Sequence, residues 1–302
     1  MPELIQVSSK LIKKLIVPRI ESSKKGDNGI VLIVGGSRYY HGAPILASMA
    51  ALRSGTDLVY TAVPRSNVVA TRSCSPNIIA LPLPDDKLTV GSANRLVAML
   101  PKKNVDSAAI GMGLSIAKPE ALVTLIKRLK GAGTKLLLDA SALVPDVLKE
   151  ISGTDTIITP HLGEYRRIFS GEEPGDSENE LILSVQTLSK RYGITIVLKG
   201  SVNIIASGGK QLEEKQEQQK FAAIKRTTPA MTVGGSGDVL SGLTAGLLTK
   251  MQPFDASILG IYFNGIAANL AYERVGLHMV ATDLVEHLPL AMKPFDLIRY
   301  VG

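Results

Sequence analysis

A glycine-rich segment in the C-terminal third of the chain has the composition of an anion-binding turn. It spans residues 228–242 and includes Gly-Gly-Ser-Gly-Asp at positions 234–238, directly before a long apolar stretch. Glycines at this place let the backbone fold tightly, so that unpaired amide N–H groups at the helix N-terminus converge on one point. The segment therefore predicts an anion site at the start of a helix.

Asp238 lies at the start of that helix, where its charge would oppose a bound phosphate. The conflict disappears if the carboxylate acts as a general base or works through a metal ion, and this makes Asp238 a candidate catalytic residue. Glycine-rich turns and first-turn aspartates are also common capping devices, so a purely structural role stays open.

Two familiar phosphate-binding motifs are missing from the sequence. No GxxxxGK[ST] loop occurs, and Gly111 and Gly113 lack the third glycine and the downstream acid of a dinucleotide fingerprint. These absences disfavour a P-loop NTPase and an ordinary Rossmann dehydrogenase.

A second group of polar residues is Thr-Pro-His-Leu-Gly-Glu at positions 159–164, between a predicted strand and a predicted helix. Because the carboxyl ends of strands line the ligand crevice of an open α/β sheet, we expect His161 and Glu164 to face the same cavity as the glycine-rich turn. His161 could bind a substrate amide, or it could simply cap the helix that contains Glu164. No HExxH or His/Cys spacing indicates a transition-metal site, so we predict no protein-bound metal of that kind.

The connection between residues 35 and 44 is polar and rich in glycine. It contains Arg38, Tyr39, Tyr40 and His41 between a predicted strand and a predicted helix. It is interpreted as a substrate loop or lid, with a solvated surface loop as the alternative.

The elements that must position these segments alternate along the chain from about Gly29. Short β-branched runs alternate with stretches of helical period, which predicts βαβ units around a mainly parallel sheet. The predicted strands are Ile30–Val34, Leu58–Ala62, Asn77–Leu81, Ser107–Ile110, Lys135–Asp139, Thr156–Thr159 and Ile194–Lys199. The predicted helices are Ala43–Arg53, Ser92–Leu100, Pro119–Lys130, Ala142–Glu150 and Glu178–Tyr192.

Beyond Lys199 the pattern changes. Val202–Ala206, a turn at 207–209, a polar stretch to Lys220 and the run Phe221–Ile224 predict antiparallel strands with a solvated tip. Apolar and small residues from Gly235 to Met292 predict two or three packed helices. With no repeat or low-complexity linker in view, we expect one domain over residues 1–302, with an N-terminal helical extension over about 1–26.

The amino-acid composition indicates which classes of binding partner the protein favours. Lys and Arg total 34 against 27 Asp and Glu, a net charge of +7, which favours anionic partners such as nucleotides. Scattered basic residues, no Trp and 4% aromatics disfavour nucleic-acid binding. A single cysteine, Cys74, cannot form an intrachain disulfide and is predicted to be a small buried side chain in a reducing compartment. No signal peptide or apolar run long enough to cross a membrane is evident, so we expect a soluble cytoplasmic protein without membrane partners.

These residues together carry a family resemblance. Gly-Gly-Ser-Gly-Asp before a helix, His-Leu-Gly-Glu after a strand, Lys199-Gly200 at the end of another strand, and the loop and helix over 36–54 ending in Ala-Ala-Leu-Arg-Ser-Gly resemble the ADP/ATP-dependent NAD(P)H-hydrate dehydratase family. This family is a branch of the ribokinase-like superfamily, and the resemblance extends from about Asp27 to Val285. It implies a three-layer α/β/α fold around a mainly parallel sheet.

The resemblance also implies an activity: hydrated NADH or NADPH (NADHX or NADPHX) is dehydrated to NAD(P)H at the expense of ATP or ADP, with Mg²⁺ at the nucleotide phosphates. Asp238 would take the proton of the ring hydroxyl, while the backbone amides of residues 235–237 would stabilise the transferring phosphoryl group. Positions that would contact the hydrated dinucleotide are Ala43, Gly113, His161 and Asp238. Positions that would hold the adenine nucleotide are Lys199, Gly200, Ser201, Val202, Asn203, Gly235, Ser236 and Gly237. A homo-oligomer, with a tetramer as one form, is also implied.

Three residues depart from the family pattern. Leu162 replaces a common Pro, Ser236 a common Thr, and Thr228 a common Asn. Ser236 keeps the hydroxyl, whereas Leu162 would loosen the turn before Gly163. Two alternatives remain at this point: a vitamin-precursor kinase of the same superfamily, and a nucleotide-binding module without catalytic activity.

Overall fold

The computed structural model describes residues 3–101, 105–172, 174–208 and 218–300, and a ten-stranded sheet forms its centre. The strands are β1 (Glu3–Leu4), β2 (Arg19–Ile20), β3 (Ile30–Val34), β4 (Leu58–Pro64), β5 (Ile78–Leu83), β6 (Ser107–Ile110), β7 (Lys135–Leu138), β8 (Thr156–Ile158), β9 (Thr195–Leu198), β10 (Val202–Ala206), β11 (Lys220–Lys225) and β12 (Ile298–Arg299). The sheet order is β1-β11-β10-β9-β8-β7-β6-β3-β4-β5, while β2 pairs with β12 separately. Strands β3 to β9 are mutually parallel, and β10 is antiparallel to both β9 and β11.

Helices cover both faces of this sheet. They are α1 (Ser9–Leu15), α2 (Gly42–Arg53), α3 (Val68–Cys74), α4 (Val90–Met99), α5 (Pro119–Gly131), α6 (Leu148–Ile151), α7 (Leu162–Ile168), α8 (Glu178–Tyr192), α9 (Ser236–Leu248), α10 (Pro253–Val275) and α11 (Ala281–Met292). In β3, Val31 and Ile33 pack with α2 and α9 to α11, whereas Leu32 and Val34 pack with α4, α5 and α8 on the other face. All five residues of β3 are buried, because side chains of a central parallel strand meet helices on both sides. The predicted three-layer fold with a mainly parallel sheet is confirmed.

Helix α9 lies unusually close to α2. A Cβ on Gly242 would lie 1.9 Å from the carbonyl oxygen of Ala47, and one on Gly246 would lie 1.9 Å from Oγ of Ser54. Glycine spaced by four residues thus removes the side chains that would separate the two helices. Because α2 follows the 35–44 connection and α9 follows the glycine-rich turn, this contact fixes the two predicted loops relative to each other.

Several predicted elements differ from the structure. The helix predicted over Ala142–Glu150 is wrong: two 3₁₀ turns precede the four-residue α6, because Val144 is extended before Pro145. Helix α3 was not predicted, and its last residue, Cys74, is exposed rather than buried. The predicted antiparallel pair after Lys199 corresponds to β10 and β11, while most of its polar tip, residues 209–217, lies outside the described residues.

In the expected helical extension over about 1–26, the described residues 3–26 form one helix and two short strands. Helix α1 buries Ile12, and β1 extends the sheet by pairing in parallel with β11. Whether the chain is a single domain stays a prediction. In the part of the chain that the structure describes, no helix combines the length and hydropathy needed to span a membrane.

The contact between α2 and α9 yields a stability prediction. We expect Gly242→Ala to lower the free energy of unfolding by about 1 to 3 kcal/mol, because the added methyl group meets a backbone oxygen that cannot move freely. The matched control is Gly91→Ala in α4, where a Cβ meets nothing closer than 3.8 Å. Urea denaturation of both variants tests this; an equal effect of the two would contradict it.

Candidate active site

The residues directly after five parallel strands form the floor of the candidate site. At this edge, backbone hydrogen bonds join these residues to the neighbouring strands, for example from Gly111 N to Val34 O and from Asp139 N to Ile110 O. The five residues are Gly35, Gly111, Asp139, Thr159 and Lys199, which follow β3, β6, β7, β8 and β9. Since parallel strands end at one edge, residues far apart in the sequence become neighbours there.

Asp139 is the best-connected side chain at this edge. Only 2% exposed, it accepts hydrogen bonds at Oδ1 from Lys199 Nζ (2.8 Å) and Ala140 N (2.8 Å), and at Oδ2 from Ser241 Oγ (2.6 Å). Burial opposes the charged form of Lys199, but the Asp139 carboxylate outweighs it and raises the pKa of the lysine. Asp139 thus holds a charged ammonium group in place and connects two strands to α9.

The glycine-rich turn places the start of α9 beside that ammonium group. Gly235 has φ +92°, and a Cβ there would lie 2.7 Å from Leu46 Cδ1 and 2.9 Å from Ala281 Cβ, so a larger residue would clash. A Cβ on Gly237 would lie 3.5 Å from Lys199 Nζ. The first-turn amides of a helix have no intrahelical acceptor, so this end combines N–H donors, the helix dipole and a lysine. The arrangement can bind a phosphoryl group.

Asp238 is half-buried in the first turn of α9. Burial, followed by the negative charges of Asp139 and Glu164, raises the pKa of Asp238 to about 7, against the opposing effect of Lys199. A carboxylate with a pKa near neutrality can take a proton from an alcohol far better than an ordinary aspartate. The role of Asp238 as the catalytic base stays a prediction.

His161 caps α7. Its Nδ1 accepts hydrogen bonds from the amides of Gly163 (3.0 Å) and Glu164 (3.3 Å), and Glu164 Oε2 accepts one from His161 N (2.9 Å). This is the capping role that the sequence left open, and it closes the turn despite Leu162. The imidazole is 61% exposed, so contact with a substrate stays a prediction.

The connection between β3 and α2 lies against Gly113. This glycine has φ +64°, and a Cβ there would lie 2.8 Å from Tyr40 Cβ and 3.2 Å from Ala43 Cβ. The structure therefore places Ala43 and Gly113 side by side, and their contact with a substrate stays a prediction. Buried Asn67 fixes the loop by donating from Nδ2 to Ser37 O (2.8 Å), while Tyr39 and Tyr40 are 81% and 66% exposed.

A cleft of about 280 Å³ opens beside the α9 N-terminus. Six of the residues predicted to hold a nucleotide line it: Lys199, Gly200, Ser201, Asn203, Ser236 and Gly237. Val202 and Gly235 do not, because Val202 packs on the core and Gly235 packs on Leu46 and Ala281. Their assigned roles stay predictions.

Sequence reasoning missed the rest of the wall. Arg226, Met231, Leu240, Ile261 and Asn264 also line the cleft. Arg226 directly follows β11, and Ile261 and Asn264 lie on α10, where no local motif marks them, whereas Met231 and Leu240 lie within the glycine-rich segment 228–242. Among them, Asn264 could have been singled out from the sequence, because it is a polar residue within an apolar part of its helix. Thr228, which replaces a common Asn, caps the following 3₁₀ turn by accepting from Ala230 N.

Metal ligands are sparse at this site. Within the described ranges, no group of three or more His, Cys, Asp or Glu side chains is arranged to hold a metal ion. Both oxygens of Asp139 already accept hydrogen bonds from Lys199 and Ser241.

Comparisons with known proteins agree with this geometry. The chain is 50% identical over 294 residues to the ADP-dependent (S)-NAD(P)H-hydrate dehydratase of Nitrosopumilus maritimus, covering 97% of this chain and 98% of that relative. A ribokinase-like superfamily protein from Enterococcus faecalis has a similar structure, with a TM-score of 0.79, 21% identity and coverage of 97% and 96% of the two chains.

The ADP/ATP-dependent NAD(P)H-hydrate dehydratase of Bacillus subtilis, co-crystallised with ATP and Mg²⁺, superposes with a TM-score of 0.75, 23% identity and coverage of 96% and 98%. The family model described as NAD(P)H-hydrate dehydratase matches residues 31–290. With most of its length matched by that model and a relative at 50% identity along nearly all of it, the chain belongs to the NAD(P)H-hydrate dehydratase family and has the ribokinase-like fold.

Proposed function

We propose that this protein catalyses the nucleotide-dependent dehydration of NADHX and NADPHX to NADH and NADPH, a repair of damaged cofactor. The observation that carries the proposal is the half-buried carboxylate of Asp238 beside the α9 N-terminus and Lys199. Phosphorylation of an alcohol requires a base that takes its proton and, next to that base, a group that binds the phosphoryl being transferred. Membership of the family supports the choice of substrate.

The chemistry proceeds in two steps. Hydroxide is a poor leaving group, so the ring hydroxyl of the hydrate is first phosphorylated. Asp238 takes the hydroxyl proton as the oxygen attacks the terminal phosphorus of the donor, and the bond from that phosphorus to the nucleotide breaks. The amides of residues 235–237 and the Lys199 ammonium stabilise the charge on the transferring group.

Elimination completes the reaction. The lone pair of the ring nitrogen expels phosphate and forms an iminium, and loss of a proton from the neighbouring ring carbon restores the double bond of the dihydronicotinamide. For this half of the reaction, the exposed His161 and the Ala43–Gly113 subsite are the proposed contacts to the hydrated dinucleotide.

We infer that ADP is the physiological donor. The relative at 50% identity is named as ADP-dependent. Both ADP and ATP end in a transferable phosphoryl group, which the same helix N-terminus can hold.

Magnesium is proposed to enter with the nucleotide. Mg²⁺ is usually held by one or two carboxylates together with substrate phosphates and water, so a dedicated cluster of protein ligands is not needed. Bound Mg²⁺ would neutralise charge that develops on the phosphates.

The location and assembly of the protein stay predictions. We expect a cytoplasmic homo-oligomer, with a tetramer as one form. Exposed apolar side chains near the C-terminus, Leu290, Ile298 and Tyr300, are consistent with such contacts.

Replacement of the proposed base is the direct test of function. We expect Asp238→Asn to lower the rate of NAD(P)H recovery from the hydrate, with Mg²⁺ and ADP or ATP, by about 100- to 10,000-fold. The recovery is followed by absorbance of the reduced nicotinamide, and Asp296→Asn, an exposed carboxylate, serves as the control. Absence of recovery by the unaltered protein with either nucleotide would refute the proposal, while accumulation of a phosphorylated product would indicate a kinase.

The pH dependence tests the state of the base. Because Asp238 must be deprotonated and burial raises its pKa to about 7, we expect kcat/KM to fall about tenfold per unit below about pH 7. Glu164→Gln removes a negative charge that raises the pKa of Asp238, so the acidic limb should move to lower pH. An acidic limb at the same pH in both proteins would show that another group titrates.

The same titration affects stability. The folded protein holds the Asp238 proton up to about pH 7, whereas an unfolded chain releases it near 3.8, the ordinary pKa of an aspartate. The folded state therefore loses stability relative to the unfolded state as the pH rises between these values. We expect the Tm of Asp238→Asn to exceed that of the unaltered protein by a margin that grows from pH 4 to pH 8. A margin independent of pH, measured by differential scanning calorimetry, would contradict the burial of this charge.

A further inference from the structure

One buried side-chain oxygen in the cleft wall, Oδ1 of Asn264, has no hydrogen-bond partner among the residues that the structure describes. Asn264 is 2% exposed and forms part of the cleft wall. Its Oδ1 accepts no hydrogen bond from any residue that the structure describes. A buried acceptor without a partner is costly to keep, so its presence at a ligand cleft points to a donor on the ligand.

The packing of α9 against α10 locates this amide within the cleft. The two helices are consecutive and antiparallel, and a Cβ on Gly260 would lie 2.2 Å from Thr244 Oγ1. One turn further along α10 is Asn264, and one turn back along α9 is Leu240, so these two residues lie at the same level. Gly237 lies at the phosphoryl-binding end of α9, and Leu240 is three residues, or nearly one turn, further along the helix.

The cleft therefore has two chemically different ends. One end has Lys199 and the amide of Gly237, which suit a phosphate. The other has Leu240 and Ile261 as apolar lining residues and Asn264 as a polar one. A planar heterocycle with apolar faces and a polar edge fits this second end.

The chemistry of the amide distinguishes between purine bases. An asparagine side chain offers an acceptor and a donor side by side, which pairs with the exocyclic amino group of adenine and the ring nitrogen next to it. Guanine and hypoxanthine carry a carbonyl oxygen where adenine has the amino group. On the edge formed by this amino group and N7 of adenine, guanine and hypoxanthine present two acceptors, O6 and N7, so Oδ1 of Asn264 would again be left without a donor.

We propose that Asn264 selects adenine as the base of the phosphoryl donor by accepting a hydrogen bond from its exocyclic amino group. The inference rests on the proposed function to the extent that this cleft holds the donor. It adds a specificity-determining residue on α10 to the predicted contacts, all of which come from β9, β10 and the start of α9.

Binding measurements without any hydrate test the assignment. Isothermal titration calorimetry of the whole protein with Mg²⁺ compares ADP with inosine 5′-diphosphate, which differs at the amino group and the adjacent ring nitrogen. We expect ADP to bind about 10- to 100-fold more tightly. In Asn264→Leu, ADP binding should weaken by a similar factor, whereas binding of inosine 5′-diphosphate should change little.

The matched control makes the same substitution on the solvent side of the same helix. Asn269 is exposed, and Asn269→Leu should keep the preference for ADP. Equal binding of the two nucleotides by the unaltered protein would overturn the inference without requiring any variant. A preference that survives in Asn264→Leu would also overturn it.

Failure of this inference and failure of the proposed function give different results. Recovery of NADPH from its hydrate with equal use of the two nucleotides would uphold the function and reject the role of Asn264. A preference for ADP that depends on Asn264, in a protein that does not act on the hydrate, would uphold the role of Asn264 and reject the function.

Discussion

Below the surface of the carboxyl edge, the carboxylate of Asp139 and the ammonium group of Lys199 are 2.8 Å apart, and the arrangement of the site depends on this pair. Neither charge would be stable alone in that environment, because burial penalises an unpaired ion. The second oxygen of Asp139 receives the hydroxyl of Ser241 and so fixes α9 to β7. The same pair adds to the electrostatics of the base: burial is the main cause of the raised pKa of Asp238, the charge of Asp139 raises it further, and the charge of Lys199 opposes both. One ion pair thus positions the phosphoryl-binding end and contributes to the basicity of the group beside it.

Much of the fold could be predicted from local patterns. Strands β3, β6 and β10 have the predicted bounds, as does helix α8, because β-branched runs and capped amphipathic segments are local properties of a sequence. The wrong helix prediction over Ala142–Glu150 also has a local cause. The helical spacing of the apolar residues was given more weight than the effect of Pro145, which holds the residue before it in an extended conformation. Cys74 shows a different limit, since exposure at a helix end depends on packing that one residue type does not encode.

The candidate site was predictable where short motifs supply it, as at residues 234–238 and 159–164. Asp139 was included in a predicted strand without any functional role, because its partners Lys199 and Ser241 are 60 and 102 residues away in the sequence. Asn264 receives no functional role from the sequence pattern. Which of its neighbours form a cleft depends on how α9 and α10 meet, and this follows from the contact between Gly260 and Thr244 rather than from either sequence segment alone.

The cap on α7 has a consequence for what His161 can present to its surroundings. A neutral imidazole that accepts two amide hydrogens at Nδ1 must carry its own hydrogen on Nε2. The fold therefore selects one of the two tautomers before any ligand arrives. Nε2 lies 3.4 Å from Glu164 Oε1, so a small molecule that meets this edge of the ring must offer a lone pair and compete with that carboxylate for the hydrogen.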